Sequence, residues 1–202
     1  MISLYTKNND GVWFGVACNE EKIFATSFAF DKKRVVRSLL HSIPFNVSFQ
    51  HLEEPSIFAK RVLDLLKNIY DGRDVSHGAS LATEHLSSYT RKVIETVSRV
   101  PVGFVASYGS VAKAASGSPR AVGRVMASTP FAPIVPCHRV VSSDFTLGGY
   151  GGGLEVKLRF LNREKRGYTA KREIPVNGKK LQVFPVEFVL RKVKKKQEKT
   201  SN

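Results

Sequence analysis

Cysteine is scarce in this chain: Cys18 and Cys137 are the only two among 202 residues. Two thiols cannot build a disulfide framework, and a reducing compartment would leave both free to react. Long apolar runs are missing as well. No stretch approaches the roughly 20 residues that a membrane span requires. The opening residues, Met1 to Lys7, lack the charged head and apolar stretch of a secretory signal. These absences predict a cytoplasmic protein with no membrane association. His41, His51, His77 and His85 are scattered without metal-ligand spacing, so no metal site is expected.

Negative charge is in short supply too. Seventeen Asp and Glu face 32 Lys and Arg, a net charge of +15. The excess is confined to one part of the chain: residues 1–86 are neutral, residues 87–170 carry +8 and residues 171–202 carry +7. A neutral front joined to a basic back suggests that the back meets a polyanion. Nucleic acid is the favoured partner, an acidic membrane surface the second, and simple solubility the plain alternative.

The pattern of residues divides the chain into three. In residues 1–86, Val12–Ala17 and Lys22–Phe30 read as two strands joined by a short loop. Asp31 can cap a helix reaching about His41. Pro55-Ser56 precedes Ile57, Phe58, Val62, Leu65, Leu66 and Ile69, a helical spacing that Asp71-Gly72 ends. This small α+β unit shows no chemical constellation, and Cys18 reads as structural. Residues 73–86 lose periodicity and read as a linker.

Residues 87–170 begin with a helix from Ser87 to about Arg99, broken by Pro101-Val102-Gly103. A short helix from Ser110 to Ala115, the turn Ser116-Gly117-Ser118 and a second helix from Pro119 form a helix-turn-helix pattern. The second helix is stripped of bulk at Ala121, Gly123 and Ala127, while Arg120 and Arg124 project from it. Such a helix can approach a narrow surface closely, which suits a minor groove. Residues 171–202 hold a strand pair around Asn177-Gly178 and then a lysine-rich run from Arg191, with about the last dozen residues expected to be disordered.

The chemistry concentrates in Ile134-Val135-Pro136-Cys137-His138-Arg139-Val140-Val141. A thiol is nucleophilic only as thiolate, and a neighbouring cation or histidine favours that form. Adjacent side chains in an extended segment point to opposite sides, so a direct Cys137–His138 bond needs a turn after Pro136 or a bridging water. A buried structural cysteine is the competing reading. Downstream, Gly148-Gly149-Tyr150-Gly151-Gly152-Gly153 is suited either to covering a ligand or to a plain flexible loop.

The run Pro136-Cys137-His138-Arg139-Val140 resembles the active-site signature of the O6-alkylguanine-DNA alkyltransferases, the methylated-DNA–protein-cysteine methyltransferases. The resemblance extends over about residues 87–168. It includes Ser107-Tyr108-Gly109, Arg120-Ala121-Val122-Gly123, the loop Gly149 to Leu154, and Leu161 through Glu164. It implies an α+β fold: a small ribonuclease H-like first domain, then a mainly helical DNA-binding domain with a helix-turn-helix. It implies repair of double-stranded DNA containing O6-alkylguanine, with O4-alkylthymine a second candidate lesion, by a monomer consumed in one irreversible transfer without any cofactor. Cys137 would accept the alkyl group, with His138 its base through a water and Glu164 orienting His138. Arg120 would enter the base stack. Ala121, Gly123, Arg124 and Ala127 would line the DNA. Tyr108 would act on the flipping phosphate and on guanine N3. The Cys137 and Val140 carbonyls would accept from the guanine amine, the Gly151 N–H would meet O6, and Met126, Val140 and Tyr150 would wall the pocket.

Two positions depart from the family pattern. Thr129 stands where asparagine is common, and one hydroxyl cannot repeat both amide bonds. Gly151 stands where serine is common and keeps only the N–H. Three other readings compete. An alkyltransferase-like protein would lack Cys137. A major-groove regulator would want longer polar side chains than Ala121, Gly123 and Ala127. A cysteine hydrolase would need a histidine able to bond the thiol directly.

Overall fold

A computed structural model of the chain describes all residues except 44–46, 76–79 and 201–202. His77 and part of the predicted linker thus lie outside the described residues. The protein is a mixed α+β structure with two sheets and seven α-helices among the described residues. It divides into two compact units: residues 1–87 with 130–134, and residues 88–129 with 135–202.

The first unit is built on a strand meander. β1 (Ile2–Asn9), β2 (Val12–Cys18) and β3 (Lys22–Ala29) pair antiparallel, with β4 (Phe49–His51) parallel to β1 and β5 (Ser80–Leu81) parallel to β3. β2 and β3 fall where β-rich apolar runs place them; β1 was not anticipated, because Thr6 to Asn9 dilute its apolar alternation. α1 (Lys32–Ser42) starts at Asp31, whose carboxylate accepts from the Lys33 N–H. α2 (Ile57–Tyr70) starts at Ser56, whose hydroxyl accepts from the Ala59 N–H. Val35 and Leu39 of α1 bury against Ile2, Leu4, Ala17 and Ala25 of the sheet. Residues 130–134 join this unit: the Thr26 N–H donates to the Pro130 carbonyl at 2.8 Å and its hydroxyl to the Ala132 carbonyl at 2.9 Å.

The second unit opens with α3 (Ser88–Ser98), followed by the buried strand β6 (Phe104–Ser107). α4 (Tyr108–Ala115) begins at once, two residues before the position predicted, because Ser107 caps it by accepting from the Ser110 N–H. Ser116 closes α4 in the left-handed conformation, and Ser118 caps α5 (Pro119–Ser128), with Pro119 in its first turn. Gly117 between them has no room for a side chain: a Cβ there would lie 2.1 Å from the Tyr89 hydroxyl.

Alongside its five helices the unit holds a four-stranded sheet. β7 (Val140–Val141) runs parallel to β6, and the hairpin β8 (Arg172–Val176) and β9 (Lys179–Pro185) adds to its other side, giving the order β7-β6-β9-β8. Residues 171–185 are therefore part of this unit's sheet rather than an appendage. The lysine-rich end also differs from expectation. Val186–Thr200 forms the helix α7, not a disordered tail. Its lysines dominate the composition, but Val186, Val189, Leu190 and Val193 recur at i, i+3, i+4 and i+7. That stripe packs on Val105, Val141 and Leu161. α6 (Leu154–Arg163) completes the unit. No described helix is long and apolar enough to cross a membrane.

Candidate active site

Pro136 turns the chain before Cys137, and residues Cys137–Arg139 form one turn of 3₁₀ helix. The Cys137 N–H donates to the Val135 carbonyl at 2.7 Å, and the Arg139 N–H to the Pro136 carbonyl at 2.8 Å. The segment is therefore the turn that the sequence left open, not an extended strand. Cys137 is buried, at 6% exposure. Burial pushes its thiol up to about 11, and Lys157 acts in the opposite direction. Cys18 is also buried and held at about 12, by burial first and by Glu20 second.

His138 does not face the thiol through both nitrogens. Its Nε2 lies 2.8 Å from Glu164 Oε1, and its Nδ1 is buried with no hydrogen-bond partner among the described residues. The ring stacks on Phe160 with centroids 4.4 Å apart. Burial lowers the imidazole's pKa, against the pull of Glu164, and so favours the neutral ring. Glu164 sits at the C-terminal end of α6 and is 1% exposed. Burial alone would protonate it, but His138 and Arg139 draw its pKa down to about 2. Arg139 donates to it from Nε at 2.9 Å and from Nη2 at 2.8 Å, and from Nη1 to the Val100 carbonyl at 2.6 Å. An ionised carboxylate holding Nε2–H leaves the Nδ1 lone pair free.

Lys157, fully buried on α6, is the second hub. Its Nζ donates to the carbonyls of Val140 at 2.6 Å, Gly149 at 3.2 Å and Leu147. Burial lowers its pKa to about 8, which the Cys137 thiolate opposes. Lys157 thus ties the strand after the cysteine to the start of the glycine loop. Tyr150 in that loop is turned inward: its hydroxyl is buried against the Cys137 sulfur, close enough to influence the thiol but without a hydrogen bond of good geometry. Tyr108, the first residue of α4, donates to the Gly149 carbonyl at a long 3.5 Å. Gly148 has φ +66°, and a Cβ there would lie 2.9 Å from the Tyr108 ring, so only glycine allows this approach. Burial, then Cys137, raises the Tyr108 pKa, so the phenol keeps its proton.

The structure therefore gathers Cys137, His138, Glu164, Tyr108, Val140 and Tyr150 into one connected cluster. On α5, Arg120, Arg124 and Ala127 are exposed, while Ala121, Gly123 and Met126 are half-buried. A Cβ on Gly123 would reach 4.0 Å from the Tyr108 ring, so α5 borders the cluster. Gly151 is exposed with open space where a side chain would stand. No described hydrogen bond, ion pair or ring contact joins Arg120, Met126 or Gly151 to Cys137. Among the described residues no cluster of three or more His, Cys, Asp or Glu could hold a metal ion.

Comparison with known proteins bears on the same stretch. The 6-O-methylguanine DNA methyltransferase DNA-binding domain matches residues 88–166. A methylated-DNA–protein-cysteine methyltransferase of Methanothermobacter thermautotrophicus is 38% identical over 111 residues, covering 54% of this chain and 63% of that protein. The protein of the same name from Thermococcus kodakarensis is 35% identical over 158 residues, covering 76% of this chain and 88% of the relative. The chain belongs to the methylated-DNA–protein-cysteine methyltransferase family. A crystal structure of an O6-methylguanine-DNA methyltransferase from Pyrococcus kodakaraensis superposes with a TM-score of 0.62 at 31% identity, covering 81% of this chain and 99% of that one.

Within this family the two departures are visible in the structure. Thr129 caps the end of α5, and its hydroxyl is buried without a partner among the described residues. Gly151 offers only backbone. Two members of the cluster escaped the sequence reading. Lys157 carried a signal, since it lies on the buried stripe of α6 with Phe160 and Leu161, where a lysine needs a reason. Arg139 stands in the signature beside His138, but nothing local signals its bond to Glu164, which spans 25 residues.

Proposed function

We propose that this chain repairs double-stranded DNA by moving the alkyl group from the O6 of guanine to Cys137 Sγ, once per molecule. The observation that carries the reading is a buried thiol backed by a His138–Glu164 pair whose free Nδ1 has no other partner. The thiol proton passes through a bridging water to Nδ1, and the resulting imidazolium is stabilised by the Glu164 carboxylate. Sγ attacks the alkyl carbon in line. The S–C bond forms as the C–O6 bond breaks, and the bonding pair stays on guanine. Tyr108 at N3 and the Gly151 N–H at O6 stabilise that developing charge. Guanine then takes up the proton that the thiol released. A thioether has no easy hydrolytic exit, so the protein is consumed, and the reaction needs no diffusible cofactor.

The duplex hides the reacting carbon, so the base must leave the stack. We assign Arg120 to the gap it leaves, and Ala121, Gly123, Arg124 and Ala127 to the groove wall of a helix-turn-helix formed by α4 and α5. Met126, Val140 and Tyr150 wall the pocket. The Val140 carbonyl already accepts from Lys157, and that of Cys137 from the Val140 N–H; each keeps a second lone pair for the guanine amine. Residues 87–170 carry the activity. Residues 1–86 are a ribonuclease H-like unit, a reading supported by the antiparallel meander with β4 parallel to β1. We take the protein to act as a cytoplasmic monomer. Incubation with an oligonucleotide duplex bearing O6-methylguanine, followed by intact mass, tests the reading: the protein should gain one methyl group, and an unchanged mass would overturn it.

A further inference from the structure

We propose that Phe145 is a positioning residue for the glycine loop, clamped by the C-terminal segment so that Tyr150 and the Gly151 N–H are held ready for substrate. Phe145 has φ +64°, a left-handed conformation that a bulky side chain rarely adopts. A chain accepts that conformation only where its surroundings over-determine it, and here they do. The Phe145 ring meets Phe184 of β9 edge-on at 5.1 Å and Phe188 of α7 at 5.4 Å, with interplanar angles of 71° and 89°. Both are edge-to-face geometries of the favourable kind. Beneath them, Phe145 and Leu147 pack on Val105, Val141, Leu161, Val186 and Val189.

The turn around Phe145 is itself closed. The Phe145 N–H donates to the Ser142 carbonyl and the Ser142 N–H to the Thr146 carbonyl, both at 3.0 Å. Asp144 accepts from the Thr146 N–H at 3.0 Å and from its hydroxyl at 2.7 Å. Two residues beyond Phe145, the Leu147 carbonyl is held by Lys157. From there the loop passes Tyr108 at Gly148 and turns Tyr150 onto Cys137. The Gly149 carbonyl accepts from Lys157 and Tyr108, and the Gly153 N–H donates to the Tyr150 carbonyl at 3.0 Å; Gly151 and Gly152, between these ties, follow the path set by the loop's start. The anchor is shared between the Lys157 ammonium and the Phe145 clamp, whose partners lie 39 and 43 residues further along the chain. The segment after residue 171 thereby acts on the reaction without touching substrate.

The inference rests on the proposed alkyl transfer, and its signature is specific. A loosened loop spends less time in the binding-competent shape, which raises the half-saturating substrate concentration in inverse proportion to the competent fraction and leaves the limiting rate intact. The test is single-turnover transfer from free O6-benzylguanine at varied concentration. Phe145→Ala and Phe188→Ala should each raise the half-saturating concentration by about tenfold with the limiting rate unchanged. The double variant should be little worse than either single one, and Phe145→Tyr should behave as wild type. Thermal melting of each variant reports whether it remains folded. Half-saturating concentrations equal to wild type in folded variants, or a loss confined to the limiting rate, would overturn the clamp. A wild-type protein that gains no benzyl group would instead overturn the proposed function itself.

Discussion

His138 Nε2 and Glu164 Oε1 lie 2.8 Å apart with both side chains sealed from solvent, so one nitrogen of the ring is committed and the other, Nδ1, is left without a hydrogen-bond partner among the described residues. Burial holds the imidazole's pKa below its ordinary value while Glu164 pulls it up. The rate of alkyl transfer should therefore persist as pH falls through the usual histidine range and decline only below it. Glu164→Gln removes the upward pull. It should slow transfer by about a hundredfold and move the acid limb to lower pH. Single-turnover rates over about pH 4 to 8 check both, and an unmoved limb would exclude His138 as the titrating group.

Glu164 also ties stability to pH. Its folded pKa of about 2 lies below the ordinary carboxylate value, so its contribution is complete above about pH 5 and is lost as pH falls toward 2. The loss should amount to about 3 kcal/mol. Urea unfolding across that window should show the drop in wild type. Glu164→Gln should lack the drop but start lower, because Arg139 is left buried with its charge uncompensated.

Local signals in the sequence specify most of the helices and turns. Asp31, Ser56 and Ser118 cap their helices where a side-chain oxygen before an apolar stripe requires it, and Asn177-Gly178 turns a hairpin. The cysteine turn was legible as a need, because Cys137 and His138 are adjacent and Pro136 precedes them. What was not legible depends on partners far along the chain. β6 is only four residues and owes its place to β7 and β9. Residues 130–134 leave their sequence neighbours for Thr26. α7 was hidden by lysines whose stems and charges say nothing of the valine stripe beneath. Phe145 reads as an ordinary loop aromatic until Phe184 and Phe188 arrive.

The Lys157 ammonium favours the Cys137 thiolate against its burial. Lys157→Met should raise the thiol pKa above about 11 and slow transfer from free O6-benzylguanine by tenfold or more, about one decade for each pKa unit. The pH dependence of the single-turnover rate checks this. An unchanged rate would mean that the ammonium serves only to hold the Val140, Leu147 and Gly149 carbonyls.

Arg120 is exposed on α5, and the proposed function assigns it to the gap in the base stack. Arg120→Ala should slow repair of methylated duplex by roughly 10- to 100-fold, the scale of an uncompensated unstacked step, while transfer from the free modified base stays near wild type. Equal losses on both substrates would remove Arg120 from base extrusion.

Cys137 is the proposed alkyl acceptor, used once per molecule. Wild type, Cys18→Ser and Cys137→Ala should be incubated with excess duplex bearing O6-methylguanine, then measured by intact mass and peptide mapping. Wild type and Cys18→Ser should each gain a single methyl, mapped to the peptide holding Cys137, and then stop. Cys137→Ala should gain none while still binding the duplex. Methylation of Cys137→Ala, a methyl mapped elsewhere, or repair of more than one lesion per wild-type molecule would contradict the account.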